Sequence, residues 1–160
     1  MDFSPYLLIA QQAARLAGQE IRSRLGKPVE VQFKGLRDPV TEVDLRCQAI
    51  IRNLLMERFP EHGFLGEEGN SVGLERDFIW VVDPLDGTKN FSHGYPNVAV
   101  SIALVFQNKP VLGVIYDVTR DGLFHAVESR GAYLNDKPIS VSACCELNLA
   151  LLVTGFAAGI

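Results

Sequence analysis

The apolar run Phe78-Ile79-Trp80-Val81-Val82 leads directly into Asp83-Pro84-Leu85-Asp86-Gly87-Thr88. A short run of β-branched and aromatic residues predicts a buried strand. That strand delivers Asp83 to its carboxyl end, where the chain opens into a loop. Pro84 keeps Asp83 extended and stiffens the turn. Asp86 returns a second carboxylate to nearly the same place, with the Leu85 carbonyl between the two. Gly87 admits positive φ or close backbone approach, and Thr88 can cap a helical turn beginning at Lys89 or Asn90. Two carboxylates and a carbonyl at one strand end form a hard-oxygen donor set suited to Mg²⁺. The N–H groups of Gly87 and Thr88 offer an anion site beside it. Adjacent cation and phosphate pockets point to phosphoryl chemistry.

A chain of 160 residues suits one compact domain with a real core. Its net charge of −4, without a long basic run, argues against a nucleic-acid groove. The three cysteines are an odd number and include the adjacent pair Cys144-Cys145, which fits neither a zinc site nor a usual disulfide. Cys47 falls on the apolar face of a predicted helix, as a small core residue. The N-terminus lacks the pattern of a signal peptide, and no stretch is long enough to span a bilayer. The expected setting is cytoplasmic, with no membrane partner.

Ser4-Pro5 reads as a capping hydroxyl followed by proline at the first helical position. Tyr6, Ile9, Ala10, Ala13, Ala17, Ile21 and Leu25 recur at helical spacing until Gly26 and Pro28. Val29, Val31 and Phe33 alternate with polar residues as a short strand, and Lys34 to Pro39 read as a loop. A second helix is expected from about Thr41 to Phe59, with Thr41 and Asp44 as a capping pair. Residues 62 to 66 form a short strand leading into Glu67-Glu68-Gly69, and 70 to 77 a loop. Beyond the central motif come strands in hairpin succession: Val98 to Phe106, Val111 to Tyr116, Leu123 to Val127, Gly131 to Leu134 and Ile139 to Val141. Their turns are expected at Asn108-Lys109-Pro110, Thr119 to Gly122 and Asn135-Asp136-Lys137. The fold class is therefore α+β, two helices packed on a mainly antiparallel sheet. Leu149 to Val153 carry the pattern of a central strand, so a longer polypeptide or a partner chain is expected to cover them.

Thr41-Glu42-Val43-Asp44, Gly66-Glu67-Glu68 and Asp83-Pro84-Leu85-Asp86-Gly87-Thr88, at this spacing, resemble the inositol monophosphatase family from Lys34 to about Thr154. The resemblance implies a dimeric, Mg²⁺-dependent phosphatase with two or three ions, frequently inhibited by Li⁺. Its substrate would be a small-molecule phosphate monoester, inositol 1-phosphate or a similar sugar phosphate. Histidinol phosphate and adenosine 3′,5′-bisphosphate are the enzymatic alternatives within the superfamily. Carried over by position, Glu67, Asp83 and the Leu85 carbonyl hold one ion, and Asp83 with Asp86 a second. Glu67 and Thr88 orient the attacking water, with Asp44 near enough to hydrogen-bond the Thr88 hydroxyl or a metal-bound water. The N–H groups of Gly87 and Thr88 hold the phosphate next to Asp86. Lys34, Gly35 and Asp38 match the family's loop that closes over the site. The family's second half supplies a further metal-binding Asp in a Trp-Asp-x-Ala-Ala-Gly stretch. Here Phe156-Ala157-Ala158-Gly159 has no Trp-Asp before it, so residues 1–160 are expected to be the N-terminal domain alone.

Blander readings stand beside these. Asp-Pro and Asp-Gly mark turns in many loops, and capping alone would satisfy Asp44. Glu68 reads as a solvated neighbour of Glu67, and Asn90, Phe91 and His93 as shaping the turn. His62, His93 and His125 show no ligand spacing and read as surface or packing residues. A truncated, non-catalytic relative acting as a metal-binding or oligomerisation module is the alternative to the enzyme.

Overall fold

The computed structural model describes residues 1–35 and 38–153, apart from the side chains of Lys34 and Asp38. Helix α1 (Ser4–Arg24) is followed by the hairpin β1 (Val31–Gly35) and β2 (Asp38–Thr41), then helix α2 (Glu42–Arg58). Strands β3 (Gly63–Gly66) and β4 (Phe78–Asp86) flank a connecting segment, and a single-turn helix α3 (Thr88–Ser92) comes next. The meander β5 (Ala99–Phe106), β6 (Lys109–Asp117), β7 (Gly122–Val127), β8 (Gly131–Leu134) and β9 (Lys137–Ile139) completes a seven-stranded sheet ordered β3 to β9. The expected α+β class is therefore observed, with α1 and α2 on one sheet face. Every neighbouring pair in that sheet is antiparallel except β3 and β4, which run parallel. Among the described residues no helix is long and apolar enough to cross a membrane.

Alternation along the strands builds the core. Trp80 and Val82 of β4 and Val100, Ile102 and Leu104 of β5 face the helices and are buried. Helix α1 meets them with Ala10, Ala13, Ala14, Ala17, Gly18 and Ile21, mostly small residues that let its backbone lie close to the sheet and to α2. Cys47 of α2 donates its thiol to the Ala17 carbonyl at 3.5 Å, and burial pushes that thiol up to about 12. It is a core residue and not a nucleophile. His62 is also buried, stacked between the rings of Phe59 and Phe78 at 5.1 and 4.8 Å. Burial lowers its pKa, so it packs as a neutral ring.

Several details differ from the sequence-based expectation. Phe3, not Ser4, is the N-cap of α1, and the Asp2 carboxylate accepts from the Ser4 N–H and hydroxyl at 3.1 and 2.8 Å. A carboxylate two residues earlier is a stronger acceptor than the serine hydroxyl. The supposed loop from Lys34 to Pro39 contains the end of β1 and the start of β2, paired antiparallel with Pro39 opposite Phe33. Proline is tolerated in such a two-stranded ribbon because its missing N–H falls at an edge. The β5–β6 turn is Gln107-Asn108, both at positive φ (48° and 64°), so Lys109 and Pro110 already belong to β6. Such a two-residue primed turn matches the strand twist. Asn135-Asp136 repeat it between β8 and β9. Leu149 to Val153 form no strand: Leu147–Leu149 make a 3-10 turn, and Leu151 and Val153 are 91% and 88% exposed. An apolar pattern becomes a strand only beside a neighbour that supplies the hydrogen bonds, and no described strand pairs with this segment.

Gly18 tests how tightly α1 is seated. A Cβ there would lie 2.4 Å from Cε1 of Tyr116. The tyrosine cannot swing aside, because its hydroxyl accepts from Arg22 at 3.0 Å and donates to Asp121 at 2.6 Å. Gly18→Ala should lower unfolding free energy in urea by about 1–2 kcal/mol, since overpacking outweighs the gain in helix propensity.

Candidate active site

The parallel pairing of β3 and β4 sets Gly66 opposite Val82, and the Glu67 N–H donates to the Val82 carbonyl at 3.0 Å. Two strands running the same way end at the same sheet edge. Glu67 and Asp83 therefore leave it side by side, and their carboxyl groups share a hydrogen bond. Asp86 lies three residues beyond Asp83, an odd interval that would put it on the opposite face of a regular strand. The β4–β5 register slips between them: Asp83 pairs with Ser101 and Asp86 with Ala99. The extra residue is a β-bulge, which reverses the alternation and turns Asp86 back towards Asp83. Burial, then the charge and hydrogen bond of Glu67, then the charge of Asp86 push the Asp83 carboxyl up to about 8. The Leu85 N–H, donating to Asp83 Oδ1 at 3.2 Å, opposes this only partly.

Asp44 joins this strand end to α2. Its Oδ2 accepts from the N–H and the hydroxyl of Thr41 at 2.8 and 2.5 Å, completing a capping box. Its Oδ1 accepts from the Thr88 hydroxyl at 2.8 Å. The Leu85 carbonyl lies 3.1 Å from the same hydroxyl. Thr88 sits at the start of α3 because Gly87 turns the chain at φ 93°, where a Cβ would also come 2.9 Å from the Asn97 carbonyl. Thus Asp44 is both the expected cap and a partner of Thr88, and the two readings are compatible.

The residues expected at the site divide clearly. Glu67 and Asp83 share a hydrogen bond, and Asp86 adds its charge to Asp83; Thr88, following Gly87, joins Asp44 and the Leu85 carbonyl beside them. Gly35 lies in β1, while the Lys34 and Asp38 side chains, like the Phe156–Gly159 stretch, fall outside the described residues. Glu68 is half-buried, with its N–H donating to Gln48. Asn90 donates to the Asn97 carbonyl at 2.9 Å and helps line a cleft of about 240 Å³ next to Asp86 and Gly87, with Ile115 and Phe124 on its apolar side. A larger cleft of about 550 Å³ runs along α2 past Arg52 and Asn70, but none of its described lining residues is acidic.

Gln48 was not singled out by the sequence. It is 3% exposed, and both ends of its amide hold the turn after Glu67: Nε2 donates to the Gly69 carbonyl at 3.1 Å and Oε1 accepts from the Glu68 N–H at 3.0 Å. The available signal was spacing, since Asp44 and Gln48 lie four apart on the same buried stripe as Cys47 and Ile51.

Among the described residues no group of three or more His, Cys, Asp or Glu side chains is placed so that it could hold a metal ion. The donor types at this strand end are nevertheless those of a hard divalent ion. They are carboxylate and carbonyl oxygens, and the raised Asp83 pKa marks a place short of positive charge.

Comparison with known proteins identifies the family of the chain. A model of the inositol monophosphatase family matches residues 2–159. Inositol monophosphatase 3 of Solanum lycopersicum is 46% identical over 153 residues, covering 93% of this chain and 57% of the relative. An inositol-1-monophosphatase of Synechocystis is 46% identical over 158 residues, covering 98% of this chain and 55% of the relative. The crystal structure of extragenic suppressor protein suhB from Bartonella henselae superposes with a TM-score of 0.85 at 42% identity, over 88% of this chain and 56% of that one. The chain thus spans just over half the length of these relatives.

The crowded carboxylates have a measurable consequence in solution free of divalent ions. Asp83 has a higher pKa folded than the 3.8 expected unfolded. The folded state therefore holds its proton more tightly, and stability present below about pH 4 is lost as pH rises towards about 8. Thermal unfolding in EDTA should show this decline, and Asp83→Asn should flatten it and raise the melting temperature at pH 8.

Proposed function

Because the chain belongs to the inositol monophosphatase family, we propose that Glu67, Asp83, Leu85, Asp86, Gly87, Thr88 and Asp44 form the N-terminal part of a Mg²⁺-dependent phosphomonoesterase site. The observation that most supports this reading is the contact of Glu67 with Asp83 under the charge of Asp86, beside the Thr88–Asp44 hydrogen bond. Glu67, Asp83 and the Leu85 carbonyl would hold one ion, and Asp83 with Asp86 a second. Such ions would supply a water of lowered pKa and positive charge for the phosphate oxygens and the departing alkoxide, against a barrier that enzymes of this class lower by up to ~28 kcal/mol.

The chain's own groups do the positioning. The Thr88 hydroxyl donates its hydrogen bond to Asp44 Oδ1 at 2.8 Å, which fixes the hydroxyl's direction. The remaining lone pair of Thr88 is then available to accept from the attacking water, with Glu67 as a second acceptor. Gly87 and Thr88 present N–H groups where the phosphate would lie, and Gly87 leaves the close approach open. The cleft by Asp86 is a place for the alcohol, and inositol 1-phosphate or a similar sugar phosphate is the substrate this reading favours. A cytoplasmic, lithium-sensitive homodimer belongs to the same reading.

A second reading, a non-catalytic association module, is favoured by one observation: the exposed apolar segment through Leu151, Leu152 and Val153. Calorimetric titration of this chain with Mg²⁺, together with phosphate release from inositol 1-phosphate by the full product of the gene, separates the two. Saturable Mg²⁺ binding and phosphate release are expected. Asp86→Asn should reduce release by at least about a hundredfold, because a ligand to a two-metal site is lost. Equal rates for Asp86→Asn and wild type would discard the assigned roles. A tight oligomer with neither Mg²⁺ affinity nor release would favour the second reading.

A further inference from the structure

We infer that Gln48 is a positioning residue for Glu67, and that α2 sets the spacing between the two halves of the site by holding Glu67 and Thr88 from side chains one turn apart. This rests on the proposed metal-dependent function. Asp44 and Gln48 lie at i and i+4 of α2, both almost wholly buried on the face turned to the sheet edge. Asp44 holds the Thr88 hydroxyl, while Gln48 holds the turn that begins at Glu67. The Gln48 contact is two-ended: one hydrogen bond in each direction, to the Glu68 N–H and the Gly69 carbonyl, so the turn can neither slide along the amide nor rotate about one bond. Gly69, exposed and at φ 75°, supplies the left-handed backbone that closes this turn.

The seat is also sterically matched. At Gly66, the residue before Glu67, a Cβ would fall 2.2 Å from Gln48 Oε1 and 2.8 Å from Phe64 Cε1. The glutamine amide therefore occupies the space that a side chain at 66 would take, pressing against the backbone that ends β3. Buried apolar packing cannot explain this placement, since a Leu or Met would fill the same volume without desolvating an amide. Two hydrogen bonds to the turn account for the polar choice. Outer partners that orient metal ligands in this way usually influence ion affinity strongly when removed.

Gln48→Met keeps the volume and removes both hydrogen bonds, so it isolates positioning from packing. The measurement is calorimetric Mg²⁺ affinity of this chain for wild type, Gln48→Met and Asp86→Asn, with amide hydrogen exchange at Glu68 and Gly69 and melting temperature in EDTA. Gln48→Met should bind Mg²⁺ roughly 10- to 100-fold more weakly and exchange the Glu68 amide faster. Its affinity should fall even if its melting temperature in EDTA equals that of wild type, which a merely structural residue would not produce. Wild-type Mg²⁺ affinity in Gln48→Met would overturn the inference while leaving the proposed function standing. Failure of wild type itself to bind Mg²⁺ would instead overturn the proposed function and this inference with it.

Discussion

One parallel pairing in an otherwise antiparallel sheet governs the chemistry of this molecule. Antiparallel neighbours send successive strand ends to opposite edges, so a meander scatters the residues that follow its strands. Strand β3 instead runs alongside β4 in the same direction, with Gly66 opposite Val82. The connecting segment makes this possible by doubling back along the outer edge of β3, where Val72 and Phe64 exchange hydrogen bonds of 2.9 and 2.8 Å. As a result Glu67 and Asp83, sixteen positions apart in number, emerge together. The bulge between Asp83 and Asp86 then adds a third carboxylate from the same strand.

This crowding opposes folding, and the surrounding core holds it in place. Once Asp83 loses its proton, above about pH 8, two like charges about 4 Å apart would repel by roughly 4 kcal/mol at an effective dielectric constant of about 20. A fully buried large apolar side chain contributes about 1.5–3 kcal/mol. Trp80 and Val82, immediately before Asp83, and Leu85, between the two aspartates, are all buried, so the elements that carry the repulsion are also anchored on both sides of it.

The chain's regular elements were legible because their signals are local. Helix α2 was readable at its start from Thr41 and Asp44, and the hexapeptide after Val82 marked the strand end. The parallel direction of β3 was not legible, since a four-residue strand has the same pattern in either direction. The register slip that reorients Asp86 escaped for a related reason: a bulge depends on the pairing partner, here Ser101 and Ala99, and not on the bulged strand alone. The turn at Gln107-Asn108 was expected one residue later, from Asn108, because Pro110 dominates the local signal, although β6 accommodates it opposite Val105 beside a second irregularity. Leu149 to Val153 shows the limit of hydrophobic pattern, which records a capacity for burial and not the neighbour that provides it.

Asp44 links stability and chemistry in a way that changes how the candidate site should be understood. Helix caps are usually interchangeable among Ser, Thr, Asp and Asn at small cost, and the cap of α2 is Thr41, with Asp44 as the reciprocal member of the box. A glutamate, the more common reciprocal residue, would carry its carboxylate one methylene further. A neutral Asn would keep one acceptor oxygen but offer N–H donors towards Thr88 or Thr41 in place of the other. Only a short carboxylate can accept from Thr41 with one oxygen and from Thr88 with the other, at 2.8 Å in each case from N–H and hydroxyl. The departure from the usual capping residue is thus explained by the second partner, and the start of α2 is fixed by the same carboxylate that orients Thr88.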